Sequence, residues 1–247
     1  LVLEFSVGSS PTVTHSSLSS LCENDSPIVL TGGSPTGGTY SGPGVTGGVF
    51  NPSVAGPGTH PIIYTYSNSV GCADSVTKYI SVTAAPFVFM LPQADVCEDD
   101  APFALSVGIP GGGVYSGPGV VGGIIFNPAI AGIGTHTIYY TRTNGTCSTT
   151  DSITFDVNGV PNVSLGSLSD VCISTSFTPL TGGSPFGGTY SGPGVSSPFF
   201  FPAAAGAGVH QIIYTVTVDG CSSSDTSSIQ VDTVPNPIMA PLPVMCA

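Results

Sequence analysis

The side chains best able to do chemistry in this sequence are its seven thiols. Cys22, Cys97, Cys172 and Cys246 form one evenly spaced series. Cys72, Cys147 and Cys221 form a second, which trails the first by 50, 50 and 49 residues. Zinc knuckles need two thiolates a few residues apart, and no CxxC occurs. Regular spacing without such knuckles points to disulfides and an oxidising compartment, with three pairs and Cys246 left over for a partner elsewhere. Bridges inside each repeat (Cys22 to Cys72, Cys97 to Cys147, Cys172 to Cys221) are the favoured connectivity. Should the two loops lie at opposite ends of a domain, staples between successive domains, such as Cys22 to Cys147 and Cys97 to Cys221, take their place. Either way a bridge contributes roughly 2–4 kcal/mol to a domain with a small core.

The other candidates for chemistry are weaker. GPGVTG at 42–47 and GPGVVG at 117–122 match GxGxxG. A dinucleotide site needs a helix after that loop to hold the pyrophosphate, whereas here FNP comes within a few residues and the third copy reads GPGVSS. The better reading is a type II turn, with Pro at i+1 presetting φ and Gly at i+2 accepting positive φ. It is expected at Gly42-Pro43-Gly44, Gly117-Pro118-Gly119 and Gly192-Pro193-Gly194. His60, His136 and His210 stand in equivalent places about 75 residues apart, too distant in sequence for one ion within a domain. Their place after AGxG at the start of a long strand suits a structural corner, with the ring packed inward and hydrogen-bonded to upstream backbone. Glu23 and Asp25, and likewise Glu98, Asp99 and Asp100, offer oxygens to Ca²⁺. The third copy has Ile173, Ser174 and Thr175 there, so a solvated loop is preferred and no cofactor is expected. No serine or cysteine sits in a recognisable nucleophile elbow, and no catalytic residue is assigned.

The element that positions these residues is a repeat. GGTYSGPGV at 37–45 returns as GGVYSGPGV at 112–120 and as GGTYSGPGV at 187–195. FNP, FNP and FFP come next at Phe50, Phe126 and Phe200, and then AGPGTHPIIYT, AGIGTHTIYYT and AGAGVHQIIYT. The middle copy holds one extra residue in GGIIFNP. The period predicts domains at 11–84, 85–159 and 160–234, flanked by the last strand of a preceding copy (1–10) and the first strand of a following one (235–247). A window on a longer array explains these ends best, and strand donation to a neighbour is the alternative. Short proline-bearing joints (GSSP, TAAP, NGVP, DTVPNP) favour a semi-rigid, rod-like array.

Composition sets the fold class. With 34 Gly, 23 Pro and 6% charged residues in 247, helix-forming side chains are scarce. Thr, Val, Ile, Tyr and Phe recur in short runs between turn residues. For the middle copy the pattern predicts strands at 87–91, 103–107, 114–116, 124–126, 135–143 and 152–157. In the long strand His136, Ile138 and Tyr140 share the core face, as do His60, Ile62, Tyr64 and His210, Ile212, Tyr214. Six or seven short strands fit an all-β tandem array of small immunoglobulin-like sandwiches. The formal charge is −12, with Lys78 and Arg142 the only basic residues, which excludes neutralising a nucleic-acid backbone. No apolar run is long enough for a membrane span.

The run LTGGSPTGGTYSGPGVTGGVFNPSVAGPGTH, the alternating IIYTYS strand and the Gly71-Cys72 step together resemble the Ig-like or PKD-like repeats of very long secreted and cell-surface proteins of Bacteroidetes. Such proteins are often associated with type IX secretion and gliding motility. The similarity covers essentially the whole chain. It implies an exported, array-forming surface protein and no activity; in related repeats the histidine column is often tyrosine, where this chain departs. In the same bacterial group Asp-Ser/Thr-apolar triplets accept O-glycans, which makes Ser75, Ser152 and Thr233 candidates. The N-x-S/T triplets at Asn24, Asn144 and Asn162 are weaker.

A mean hydropathy of +0.39 with almost no lysine leaves strand edges poorly guarded, so neighbouring copies, other subunits or glycans should cover them. The expectation is a non-enzymatic, extracellular filament or cell-surface stalk that self-associates. The alternative is an adhesin whose loops, such as Pro198 to Phe201, bind glycans or another cell. Adhesion predicts one copy with a distinct aromatic or charged loop set; scaffolding predicts interchangeable copies.

Overall fold

The computed structural model describes residues 8–235. The chain divides into two compact units. Among the described residues the first comprises 8–93 with Ala104–Ile125 and Thr137–Thr154, the second Ala94–Phe103 with Phe126–His136 and 155–235. The strand pattern itself occurs three times, so the molecule is an all-β tandem array of three small immunoglobulin-like sandwiches. The middle copy is shared between the two units. The candidate strand-donating ends and Cys246 lie outside the described residues, apart from the few at 8–10 and 235.

In the first copy the strands are β1 (Thr14–His15), β2 (Leu21–Cys22), β3 (Ile28–Val29), β4 (Gly33–Ser34), β5 (Thr39–Ser41), β6 (Val45–Thr46), β7 (Val49–Phe50), β8 (Gly58–Ser67) and β9 (Ala73–Thr83), with a helical turn α1 (Pro52–Ala55) between β7 and β8. One sheet runs β2-β9-β8-β5, a second β3-β7-β6, and β1 pairs with β4. Phe50 from the small sheet meets Ile62, Ile80 and Val82 from the large one, together with Leu30. The third copy repeats this with Phe200, Ile212, Ile229, Val231 and Leu180. The alternation expected of the long strand is present: Ile62, Tyr64, Ile138, Tyr140, Ile212 and Tyr214 are all buried.

The recurrent FNP step has a separate reason for each letter. Phe50 and Phe126 are fully buried. Asn51 and Asn127 are N-caps whose side chains accept from Ser53 N and Ile130 N, and Pro52 and Pro128 open the four-residue helical turn. Proline suits that place because its missing N–H would be unpaired there anyway. Sequence periodicity does not reveal this turn, since a single helical turn has no period.

The GPG segments are tight turns. Val45 N, Val120 N and Val195 N donate to the carbonyls of Gly42, Gly117 and Gly192 at 3.1–3.2 Å, and Gly44 has φ 74°. A Cβ on Gly192 would stand 2.5 Å from the Gln211 carbonyl oxygen, so glycine is required where the turn crosses the long strand. In copies one and three the chain leaves the turn through a β-hairpin, β6–β7 and its counterpart, where a phosphate site needs a helix.

Candidate functional site: the stapled junctions between repeats

The disulfides are Cys22–Cys147 and Cys97–Cys221, with Cα separations of 5.4 and 5.6 Å. Cys72 and Cys172 are free thiols. The favoured pairing inside each repeat is therefore corrected: Cys22 does not join Cys72, Cys97 does not join Cys147, and Cys172 does not join Cys221. The large sheet supplies the reason. Strand β2 runs parallel to the end of β9, with Cys22 opposite Thr83, while Cys72 immediately precedes the start of β9 at Ala73. The eleven residues of β9 separate the two cysteines by about 35 Å at the rise of a strand. A disulfide tolerates at most about 7 Å between Cα atoms. A cysteine at one end of a repeat can therefore reach only the hairpin of the next.

Each staple is flanked by polar contacts that lie within one unit, and two of them recur: the approach of the hairpin sulfur to a linker carbonyl and the bond of a linker N–H to a glutamate. At the first junction Cys147 Sγ lies 3.7 Å from the Thr83 carbonyl oxygen, Asn144 Nδ2 donates to Ala84 O, and Ala85 N donates to the Glu23 carboxylate. Asn24 Nδ2 also donates to Ser148 O at 3.1 Å. At the second, Cys221 Sγ lies 3.8 Å from Asn158 O, Asn158 Nδ2 donates to Asp219 O, and Val160 N donates to Glu98. The joint between repeats is thus held by covalent, side-chain and backbone contacts together.

The acidic loops serve these junctions. Asp25 and Asp100 accept from Cys22 N and Cys97 N at 2.8 Å. Glu23 and Glu98 take linker N–H groups. Cys97, Asp99 and Asp100 come within ligand distance of one another, but the Cys97 sulfur is consumed in a disulfide and Asp100 is committed to backbone.

The histidine rings close the helical turns. His60, His136 and His210 direct Nε2 to the carbonyls of Gly56, Gly132 and Gly206 at 2.7–2.8 Å, and each ring is half-buried. The candidate acceptors Ser75, Ser152 and Thr233 are exposed, the first two on last strands of their repeats.

Sequence reasoning missed the tyrosine pairs. Tyr40 and Tyr64, Tyr115 and Tyr140, and Tyr190 and Tyr214 stack with centroids 4.6–4.8 Å apart. Tyr140 Oη donates to Pro110 O and accepts from Gly113 N, both at 2.7 Å, and Tyr214 does the same with Pro185 O and Gly188 N. Tyr115 Oη accepts from Gly108 N at 2.7 Å. The signal was present in the Tyr of GGTYSG recurring beside a glycine pair too small to fill its own core.

The third copy differs on one part of its surface. Phe177 packs edge-on against Phe199 at 5.2 Å and lies 6.2 Å from Phe201, while Phe186 is fully exposed. Phe186 borders a cavity of about 330 Å³ lined also by Tyr190, Pro198 and Tyr214. In the places of Phe177, Phe199, Phe201 and Phe186 the first copy has Pro27, Val49, Asn51 and Thr36.

No protein-family model matches the chain, and no curated protein matches its sequence. Among solved structures, a Ca²⁺-stabilised adhesin with which an Antarctic bacterium binds ice is 16% identical, covering 92% of this chain and 75% of that one at a TM-score of 0.35. The I67–I69 fragment of titin is 15% identical over 87% of this chain and 95% of its own, at a TM-score of 0.34. The insect immune protein hemolin is 10% identical over 90% and 76%, at a TM-score of 0.27. Among the described residues no helix is long and apolar enough to cross a membrane.

Proposed function

We propose that this chain is a non-enzymatic structural segment of an extracellular filament or cell-surface stalk, built from Ig-like repeats that are covalently stapled to their neighbours. The observation that carries this reading is the direction of the bridges. A disulfide within a domain protects that domain alone; a disulfide from one repeat to the next secures the joint, where a repeat array otherwise bends or parts. Repeats at 11–84, 85–159 and 160–234 are the mechanical units on this reading. Exported origin of the Bacteroidetes surface type suits the bridges, which persist in oxidising surroundings. Ser75, Ser152 and Thr233 are exposed enough to carry O-glycans, which would shield strand edges that lack lysine. Electron microscopy of the native material tests the proposal: regular unbranched fibres or stalks are expected, and dispersed single domains would overturn it.

A second reading is favoured by the third copy's aromatic surface. Exposed Phe177, Phe186 and Phe199 give the third repeat aromatic rings at places where the first has Pro27, Thr36 and Val49, as an adhesin that stacks sugar rings on aromatics would require. Replacing Phe186, Phe199 and Phe201 together by Thr, Val and Asn converts these places to those of the first copy. Loss of binding to glycans or cells with unchanged bridges would support adhesion; unchanged binding would remove it.

A further inference from the structure

We propose that Cys72 and Cys172 are the two open halves of a disulfide ladder, each placed to bond a cysteine in the complementary slot of an adjoining repeat. The inference comes from comparing the free thiols with their bonded equivalents. Cys172 ends a strand paired in parallel with Val231 and Asp232, as Cys22 is paired beside Thr83 and Cys97 beside Asn158. Both of those equivalents are bonded to the hairpin cysteine of the next repeat. Cys72 occupies the hairpin slot of Cys147 and Cys221.

The junction around Cys72 is already half built. Its sulfur lies 3.6 Å from the carbonyl oxygen of Gly8, as Cys147 lies 3.7 Å from Thr83 O and Cys221 3.8 Å from Asn158 O. Asn68 Nδ2 donates to Ser9 O at 3.2 Å, matching Asn144 on Ala84 O at 3.3 Å. Gly8, Thr83 and Asn158 are spaced one repeat apart. The segment entering the first repeat therefore lies against Cys72 as the linker at 83–84 lies against Cys147.

The partner is a cysteine of an adjacent Ig-like repeat, either further along the same polypeptide or in a second copy. In a second copy, Cys172 of one molecule meeting Cys72 of the next preserves the rule that a first-slot cysteine bonds the hairpin cysteine of the following repeat. The partner's chemistry rests on the array reading, but the bond does not depend on fibres forming. Joining two thiols releases two protons and two electrons, which a disulfide-bearing oxidant such as oxidised glutathione accepts, becoming two thiols. Cys172 suits the first attack. Ser174 Oγ donates to its sulfur at 3.2 Å, and this hydrogen bond lowers the thiol pKa and enlarges the thiolate fraction. The thiolate displaces one half of the oxidant, and Cys72 of the neighbour then displaces the other.

The test uses the purified chain at high concentration, mixed in equal parts with its ¹⁵N-labelled form in glutathione redox buffer, with non-reducing gels and mass-spectrometric peptide mapping as the readouts. A ladder of covalent oligomers is expected, with Cys172-to-Cys72 peptides of mixed isotope and with Cys22–Cys147 and Cys97–Cys221 intact. Cys172→Ser should remove the Cys172-to-Cys72 peptides, and Cys172→Ser combined with Cys246→Ser should abolish the ladder, the two staples again reporting a correct fold. If the partner lies further along the polypeptide, material from the natural source shows Cys172 bonded to a hairpin-slot cysteine of the same chain. Free, alkylated Cys72 and Cys172 beside intact staples both in the purified chain and in material from the natural source would overturn the proposal, as would Cys172-to-Cys172 pairs. Absence of fibres by microscopy would count against the stalk reading alone and leave this bond map standing.

Discussion

The first and third repeats share a frame and differ at their surface. Both bury a phenylalanine before the helical turn, stack a tyrosine pair over the glycine loop, and lock the turn with a histidine. Asn51 caps its helical turn in the first copy, whereas Phe201, in the same place, makes no side-chain cap. The third repeat thus lacks a stabilising hydrogen bond where it gains an aromatic ring in contact with Phe177. Where a copy departs from its siblings at a local energetic cost, the new residue is a candidate for function rather than for folding. Where copies agree, the residue belongs to the frame or to the junctions.

Breaking the frame should affect the two repeats alike. Loss of a staple is expected to be the largest effect: Cys147→Ser and Cys221→Ser each lower the stability of the unit they belong to by roughly 2–5 kcal/mol, read as a fall in urea midpoint. A marked inequality between the two would show that the junctions are not equivalent. Next come the tyrosines. Tyr64→Phe and Tyr214→Phe each strip the glycine loop of one donor and one acceptor, at Pro35 and Gly38 and at Pro185 and Gly188, and each should cost about 1–3 kcal/mol.

Breaking the difference should act in opposite directions. Asn51→Ala is expected to destabilise by about 1 kcal/mol, while Phe201→Asn restores a cap and stabilises the third repeat by a similar amount. The smallest effect concerns acid. Leu165 N, and after it Thr226 N, donates to Asp225 and holds its carboxyl below the usual carboxylate range. Its contribution is full above the ordinary aspartate pKa and is lost as pH falls through the lower folded value. The first repeat has Val76 opposite Tyr64 where the third has Asp225 opposite Tyr214, so acid titration should weaken the third repeat selectively, and Asp225→Asn should remove that dependence.

Much of this frame is legible in the sequence, because recurrence marks positions that geometry constrains. The GPG turn, the buried face of the long strand and the single-file histidines can be read from period, proline and glycine. The strand holding each first-slot cysteine is not legible: two residues such as Leu21-Cys22 show no alternation, yet their parallel pairing to β9 decides the connectivity. Spacing of about 50 residues between Cys22 and Cys72 suggests proximity, but a strand of eleven residues keeps its ends apart. The aromatic surface of the third repeat is legible in part. The sequence reads Pro198 to Phe201 as a loop, whereas Phe199–Phe200 is a strand with Phe200 fully buried, and the contact of Phe177 with Phe199 needs the pairing of Thr178 with Phe200, which brings their strands together.

The central claim is that each disulfide joins one repeat to the next. Peptide mapping of the protein digested without reduction tests it directly. Cys22 bonded to Cys147 and Cys97 bonded to Cys221 are the predicted pairs; recovery of Cys22 bonded to Cys72, or of Cys97 bonded to Cys147, would contradict the claim.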